Sequence, residues 1–371
     1  MQKQTVYNQY KLLKHLDSLL QWKETGNTTP HAVDLNLTNK CNNKCPLCFD
    51  PGKDVRDNTE MEYRLAKDII MQLKVVGVKG IVLGGGGDPA CHPNLAEIIR
   101  FIKQSGIDAA ISTNGYQMSD DIIDAIASCC VFVRISLDAD SPEIYKKTHG
   151  LDAAAFNDVI GNIKKLIAAR KRLSSSPVIE VCYLIGPHTI KGAYNAAKMV
   201  KELGVDSIRI RPFYNWGNMK KPGKNELQYI LAELKRCIQL EDKNFSVSVT
   251  TNRFELLSEK KSGHNYKECN VHNFYTVISP DAKVYPCYVH KNKKEFCFGD
   301  LSQNSFKDIW ASEQRKQALK RINIKECQNH CRFEKTNEFL YGVKTNQLLG
   351  DMNLCDMYCS MRDSIPHPNF M

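Results

Sequence analysis

From residue 32 to about residue 241, short apolar runs alternate with amphipathic stretches, and that alternation admits few folds. "AVDLNL" (32–37) reads as a strand. "TEMEYRLAKDIIMQLKVVG" then carries apolar residues at helical spacing, opened by Thr59 with Glu62 three residues on, a capping box. "GIVLGGG" is a second strand, and "PNLAEIIRFIKQSG" a helix with Pro93 at its start and Gly106 at its end. The pattern returns in "DAAIST" with "SDDIIDAIAS" and in "VFVRISLD" with "AAAFNDVIGNIKKLIAARKR". It returns again in "VIEVCYLIG" with "GAYNAAKMVKELG" and in "SIRIRPF" with "NELQYILAELKRCIQLE". Continuous apolar strands separated by helices imply a parallel sheet covered by helices. Six such units predict an α/β fold, a partial (β/α)6 TIM-like barrel with a small cysteine-rich C-terminal extension.

The division expected is 1–30 as an N-terminal helical extension, 31–245 as the barrel and 246–371 as the extension. After "FSVSVTT" the texture becomes loop-rich, and from Cys269 onward it holds seven of the fifteen cysteines. An odd cysteine count in a long chain with no export signal argues against a disulfide framework and for metal or cluster ligation in a reducing compartment. No apolar run approaches a bilayer span, so the expected setting is cytoplasmic, with no membrane partner. The formal charge of +10 gathers in "KKPGK" (220–224), "KNKKE" (291–295) and "RKR" (170–172). These runs read as solvated surface, or as attraction for a phosphate-bearing or acidic partner. No basic stripe interleaved with aromatics points to nucleic acid.

Catalysis in parallel barrels gathers at the C-terminal ends of the strands. There the chain places "KCNNKCPLCFD", "GGGGDPACHP", "STNG", the Ser136–Asp138 stretch, "IGPH" and "RIRPF". The first of these holds Cys41, Cys45 and Cys48 with no local fourth ligand. A closed zinc site wants four ligands and would have to recruit a distant one. An iron–sulfur cluster on three thiolates leaves one iron open to a ligand.

The Cys41-x3-Cys45-x2-Cys48 spacing after the first strand of a βα barrel resembles the radical S-adenosylmethionine (radical SAM) enzymes. The resemblance covers roughly residues 30 to 240. It implies a 4Fe–4S cluster on these cysteines, S-adenosylmethionine chelated to its unique iron, and a 5′-deoxyadenosyl radical that abstracts a substrate hydrogen atom. It implies an electron donor such as flavodoxin or ferredoxin. Gly85, Gly86, Gly87 and Asp88 resemble the family's glycine–acidic motif for the methionine ammonium, with Asp where most members carry Glu. Phe49 is placed to cover the cluster or the adenine. Asn114, Ser136 and Arg211 lie where members contact ribose, methionine carboxylate or adenine, positions that strand-end packing explains equally.

Cys269 and Cys287 flanking "SPDAKVYP", the step "FGD", a short Trp-bearing helix and the pair Cys327 and Cys331 resemble the SPASM/twitch extension of that family. Ala282 stands at the common hairpin glycine, and three residues rather than two separate the closing pair. The resemblance implies one auxiliary 4Fe–4S cluster on Cys269, Cys287, Cys327 and Cys331. Cys355 and Cys359 are alternatives, or members of a second cluster, and zinc on four thiolates is the other occupant. The tail "IPHPNFM" is expected at the barrel mouth. Cys182 and Cys91 are candidate hydrogen donors of an epimerase, or buried packing cysteines.

An auxiliary cluster that accepts an electron implies a net two-electron oxidation. About thirty residues precede the first strand, too few for a winged-helix leader-peptide domain. The expected function is therefore dehydrogenation of a small polar substrate such as a sugar or aminocyclitol, phosphate- or nucleotide-linked given the charge. The alternatives are a peptide-modifying maturase and a redox-neutral epimerase.

Overall fold

The computed structural model describes residues 9–48, 50, 57–213, 222–249, 254, 263–327, 331–347, 354–361 and 367–371. The strands are β1 (Ala32–Leu35), β2 (Gly80–Leu83), β3 (Asp108–Thr113), β4 (Cys130–Ser136), β5 (Val178–Ile185) and β6 (Ser207–Pro212). Four more follow: β7 (Ser246–Val249), β8 (Tyr275–Ile278), β9 (Lys283–Tyr285) and β10 (Gly299–Asp300). All ten form one sheet in the order β10-β9-β8-β1-β2-β3-β4-β5-β6-β7. The β1–β6 pairs are parallel and in chain order, as six strand–helix units require. The sheet therefore has the partial barrel architecture the alternation predicts. It also runs further than six strands. β7 adds in parallel to β6, and β8, from the cysteine-rich stretch, adds in parallel to β1. The hairpin β8–β9 and then β10 complete that edge antiparallel.

The period of two sorts each strand into faces. Val33, Leu35, Ile81, Leu83, Ile111, Val133, Ile135, Val181, Tyr183, Ile208 and Ile210 are fully buried in one cluster with the helices. The helix Tyr63–Val75 contributes Ala66, Ile69, Ile70 and Leu73 to it, at helical spacing. The alternate residues face the other way and are mostly polar: Asn36, Ser112, Arg134, Ser136, Glu180, Cys182, Arg209 and Arg211. Register stacks them into layers, with Arg134 beside Glu180, Ser136 beside Cys182 and Cys182 beside Arg209. Arg134 Nε donates to Glu180 Oε1 at 2.6 Å. Burial alone would push the Glu180 carboxyl up; Arg134 and Arg209 outweigh it and hold the group below the usual range.

Beneath this charged layer, at the N-terminal strand ends, lies a small apolar floor of Ala110, Phe132, Val178 and Phe370. The tail supplies the last of these. Asn369 Nδ2 donates to Asp108 Oδ2 at 2.7 Å, and the Phe370 ring meets Phe132 edge-on at 5.0 Å. The expectation that the tail reaches the barrel mouth is thus corrected: residues 367–371 close the opposite end, where an apolar ring finds apolar partners. The capping box is corrected too. The helix starts only at Tyr63, after Thr59 and Glu60 have run alongside the Asn39 and Thr38 backbone.

Phe370→Ala should lower stability by about 3 kcal/mol, the cost of emptying an aromatic site. A denaturant midpoint unchanged from that of the parent chain would mean the tail does not seal the floor.

Candidate active site

Strand β1 delivers the chain into the three-cysteine loop, and neighbouring loops hold that loop in place. Lys44 N donates to His149 O at 3.0 Å, Cys48 N to Cys45 O at 3.3 Å, and Asn114 Nδ2 to Asn42 Oδ1 at 2.6 Å. Lys40 pairs with Glu60 at 3.1 Å. Cys41, Cys45 and Cys48 are each half-buried and line one cavity at the strand ends, together with Gly85, Gly86 and Gly87. The glycines are there for space as well as for turning. Gly85 and Gly86 have φ of 74° and 68°, the left-handed region. A Cβ on Gly87 would lie 1.8 Å from the Lys40 carbonyl oxygen, so the glycine run presses directly on the cysteine loop.

Asp88 also lines the cavity, and its carboxylate already serves the protein. It accepts from Ala90 N at 2.9 Å, Thr113 Oγ1 at 2.9 Å and Asn114 N at 2.6 Å. It therefore fastens the end of β3 to the loop after β2. Asn114, Ser136 and Arg211, on the ends of β3, β4 and β6, line the same cavity. Phe49 lies outside the described residues.

The sequence places Asp138 at a strand end without giving it a role, and it hides a second group. Asp138, just past β4, sits at φ 44° in the cavity wall and accepts from Leu184 N at 2.7 Å. Burial lifts its carboxyl to about 6, against the Leu184 N–H and the nearby Arg211 charge. The second is an ion pair. Asp50 Oδ2 accepts from Gly86 N at 2.7 Å and from Lys291 Nζ at 2.8 Å. The lysine side chain is 1% exposed and the aspartate 4%. Lys291 opens the run "KNKKE" expected at the surface, and nothing in that run separates it from Lys293 or Lys294. The fold does so: a short 3-10 turn over Tyr288–His290 swings it inward. Tyr288, on the same turn, donates from its hydroxyl to Gly84 O at 3.2 Å and accepts from Asn36 Nδ2 at 2.8 Å. A Cβ on Gly85 would lie 2.1 Å from that hydroxyl.

That turn begins at Cys287, which joins the barrel to the second cysteine field. Cys269, Cys287, Cys327 and Cys331 sit close enough to feel one another's charge. Burial first, and the other thiols second, push Cys269 up strongly. Burial, then Cys287, Glu326 and Glu334, takes Cys327 to about 11; burial, with Cys287, Cys327 and Glu334 and against the Phe333 N–H, brings Cys331 to about 12. Four gathered thiolates at these sites would be costly unless a cationic group neutralised them, and a cluster with one iron per thiolate would meet that demand. Among the described residues, no three His, Cys, Asp or Glu side chains converge on a single-ion site. Cys359 is exposed, and the side chain of Cys355 lies outside what the structure describes. Ala282, in the β8–β9 turn, has φ 61°, which explains the usual preference for glycine there.

Cys182 lines the cavity, buried in β5, with its thiol pushed up by burial. Cys91, in a 3-10 turn, is raised to about 11 by burial and Asp88, and is not among the residues lining that cavity. Among the described residues no helix is long and apolar enough to cross a membrane.

Residues 35–179 match the family model described as the Radical SAM superfamily, and residues 269–332 match SPASM, the iron-sulfur cluster-binding domain. The two matched spans contain the two cysteine fields. The tungsten-containing aldehyde ferredoxin oxidoreductase cofactor-modifying protein of Pyrococcus furiosus is 25% identical over 301 residues, 75% of this chain and 80% of that protein. The PqqA peptide cyclase of Gluconobacter oxydans is 18% identical over 286 residues, 76% of each chain. Among solved structures, Streptococcus suis SuiB bound to precursor peptide SuiA superposes with a TM-score of 0.65 at 14% identity. That match covers 91% of this chain and 82% of the other.

Lys291→Met should cost about 3–5 kcal/mol by stranding the Asp50 carboxylate away from water. Chemical denaturation reads this, and the double variant with Asp50→Asn should recover much of the loss. For Asp138, a folded-state pKa raised to about 6 stabilises the fold below about pH 4 and is lost as pH rises through 6. Asp138→Asn should therefore flatten the fall in stability between those values, which thermal unfolding across pH measures.

Proposed function

We propose, on the premise that the chain belongs to the radical SAM superfamily and carries a SPASM iron–sulfur cluster-binding domain, that it oxidatively modifies a peptide. One observation carries the chemistry: three thiols with no local fourth share a cavity with Gly85–Gly87, while Tyr288 and Lys291, from the turn that begins at Cys287, press on that same glycine run directly and through Asp50. Cys41, Cys45 and Cys48 would hold the first cluster, and Cys269, Cys287, Cys327 and Cys331 one auxiliary cluster. When bound, the first cluster with S-adenosylmethionine supplies hydrogen-atom abstraction, and the auxiliary cluster supplies a nearby electron acceptor. A flavodoxin or ferredoxin would be the donor.

The chain's own groups set the geometry. Gly85 and Gly86 keep their backbone open to the ligand, and Asp50, itself in the cavity wall, fixes the Gly86 amide. Asp88 locks the β3 end so that Asn114 faces the cavity, while Ser136 and Arg211 would meet the polar parts of S-adenosylmethionine. Asp88 would act on the methionine ammonium from a position its protein donors already fix. Cys182, which lines the cavity, would be the group to return hydrogen in an epimerase. Residues 31–245 would form the radical unit and 246–371 the auxiliary unit, with 1–30 as an extension.

Support for a peptide over a sugar or aminocyclitol comes from two relatives that cover 76% and 91% of this chain. One is named a peptide cyclase, and the other is seen with its precursor peptide. The dehydrogenation expected from the sequence then becomes oxidation on a peptide rather than on a small polar substrate.

Anaerobic incubation with S-adenosylmethionine, a reductant and a panel of short peptides, with any short reading frame beside its gene included, should give 5′-deoxyadenosine and a peptide lighter by two hydrogens. Replacing Cys41, Cys45 and Cys48 by Ala should abolish 5′-deoxyadenosine, and Cys182→Ala should leave the oxidation intact. Turnover of a small sugar or aminocyclitol with no peptide modified would return the reading to a small-molecule dehydrogenase.

A further inference from the structure

A second cavity, of about 410 Å³, lies against Cys269 and shares no lining residue with the one at the strand ends. Its walls carry four cationic side chains, Lys23, Arg315, Lys316 and Lys344, against one carboxylate, Glu268. That carboxylate is already committed to Lys344 at 2.5 Å. Arg315 differs from the three lysines in being only 4% exposed. Its guanidinium stacks 3.8 Å over the Trp310 ring and makes long contacts of 3.3–3.4 Å to neutral acceptors only: the Trp310 carbonyl, Asn27 Oδ1 and Asn273 Oδ1. Among the described residues no carboxylate pairs with it, and neither its Nε–H nor the buried Asn270 Nδ2 in the same wall meets an acceptor.

A buried cation normally sits against an anion, because taking it out of water without one is expensive. Burial lowers this guanidinium only to about 10, so it stays charged at neutral pH. The planar fork, the neighbouring amide donor and the excess of positive charge ask for an acceptor with several oxygens. We infer that this cavity binds a small oxyanion, a carboxylate or phosphate group, with Arg315 as its anchor and Lys23, Lys316 and Lys344 as its rim. The inference is independent of the substrate assigned to the strand-end cavity.

Isothermal titration of the reconstituted holoenzyme with inorganic phosphate, and separately with N-acetylglutamate, tests it. One saturable site per chain is expected for at least one of them. Tighter phosphate identifies a phosphate-bearing ligand, and tighter N-acetylglutamate an acidic side chain. Arg315→Met should weaken binding by about tenfold or more, the loss of a charge-assisted contact, and Arg315→Lys by less. Lys23→Gln and Lys344→Gln, both at the surface, should each weaken it about two- to threefold with unchanged thermal midpoints. They decide the matter if Arg315→Met does not fold. Absence of saturable binding to the parent enzyme, or affinity unchanged in the folded variants, overturns the site.

Discussion

A lysine ammonium and an aspartate carboxylate, both withdrawn from water, fasten one cysteine field to the other. Lys291 comes from the turn that begins at Cys287, and Asp50 stands two residues after Cys48. Between them lies the Gly86 amide, bonded to the same carboxylate oxygen. An ion pair in such a place adds little to stability against an apolar substitute, but it tolerates no other partner and no other register. Tyr288 repeats the attachment two residue positions earlier in the glycine run, at Gly84. The glycine wall of the first cavity is therefore also the docking surface for the second cysteine field. That dual duty explains why it has no room for a side chain on either side.

The barrel interior follows a vertical order that the strands' two-residue period dictates. An apolar floor at Phe132, Val178 and Phe370 keeps water from entering below. Above it the Arg134–Glu180 pair forms a charged layer; Arg209 sits one step higher beside Cys182, and Ser136, Cys182 and Arg211 line the cavity. A charged layer between a sealed floor and a reactive mouth has to be self-compensating, and Glu180, held ionised by its arginines, supplies the balance. The cavity is thus polar at its base and thiol-rich at one side.

The six strand–helix units were legible because their alternation follows from short-range packing, which any window of the sequence displays. The cysteine loop was legible because ligand spacing is a local property, and so was the alanine at 282 in place of a glycine, though its left-handed conformation shows only in the fold. The rest depended on contacts distant in sequence. β8 joins β1 across more than two hundred residues, and no pattern in "YTVI" states that its partner is "AVDL". Lys291 looks like its exposed neighbours until the turn after Cys287 buries it. The tail's aromatic ring fits either end of a barrel, and only Asn369 on Asp108 shows which. Asp88 carries the right chemistry for a ligand contact, yet its protein donors appear only once β3 is in place.

The proposed chemistry requires two separate thiolate sets, one with an open coordination position and one without. Anaerobic reconstitution followed by iron analysis and electron paramagnetic resonance, with and without S-adenosylmethionine, tests this most directly. It predicts about eight irons per chain, two reduced-cluster signals, and only the one lost on replacing Cys41, Cys45 and Cys48 shifting with S-adenosylmethionine. About four irons, or a shift that survives that triple replacement, would contradict it.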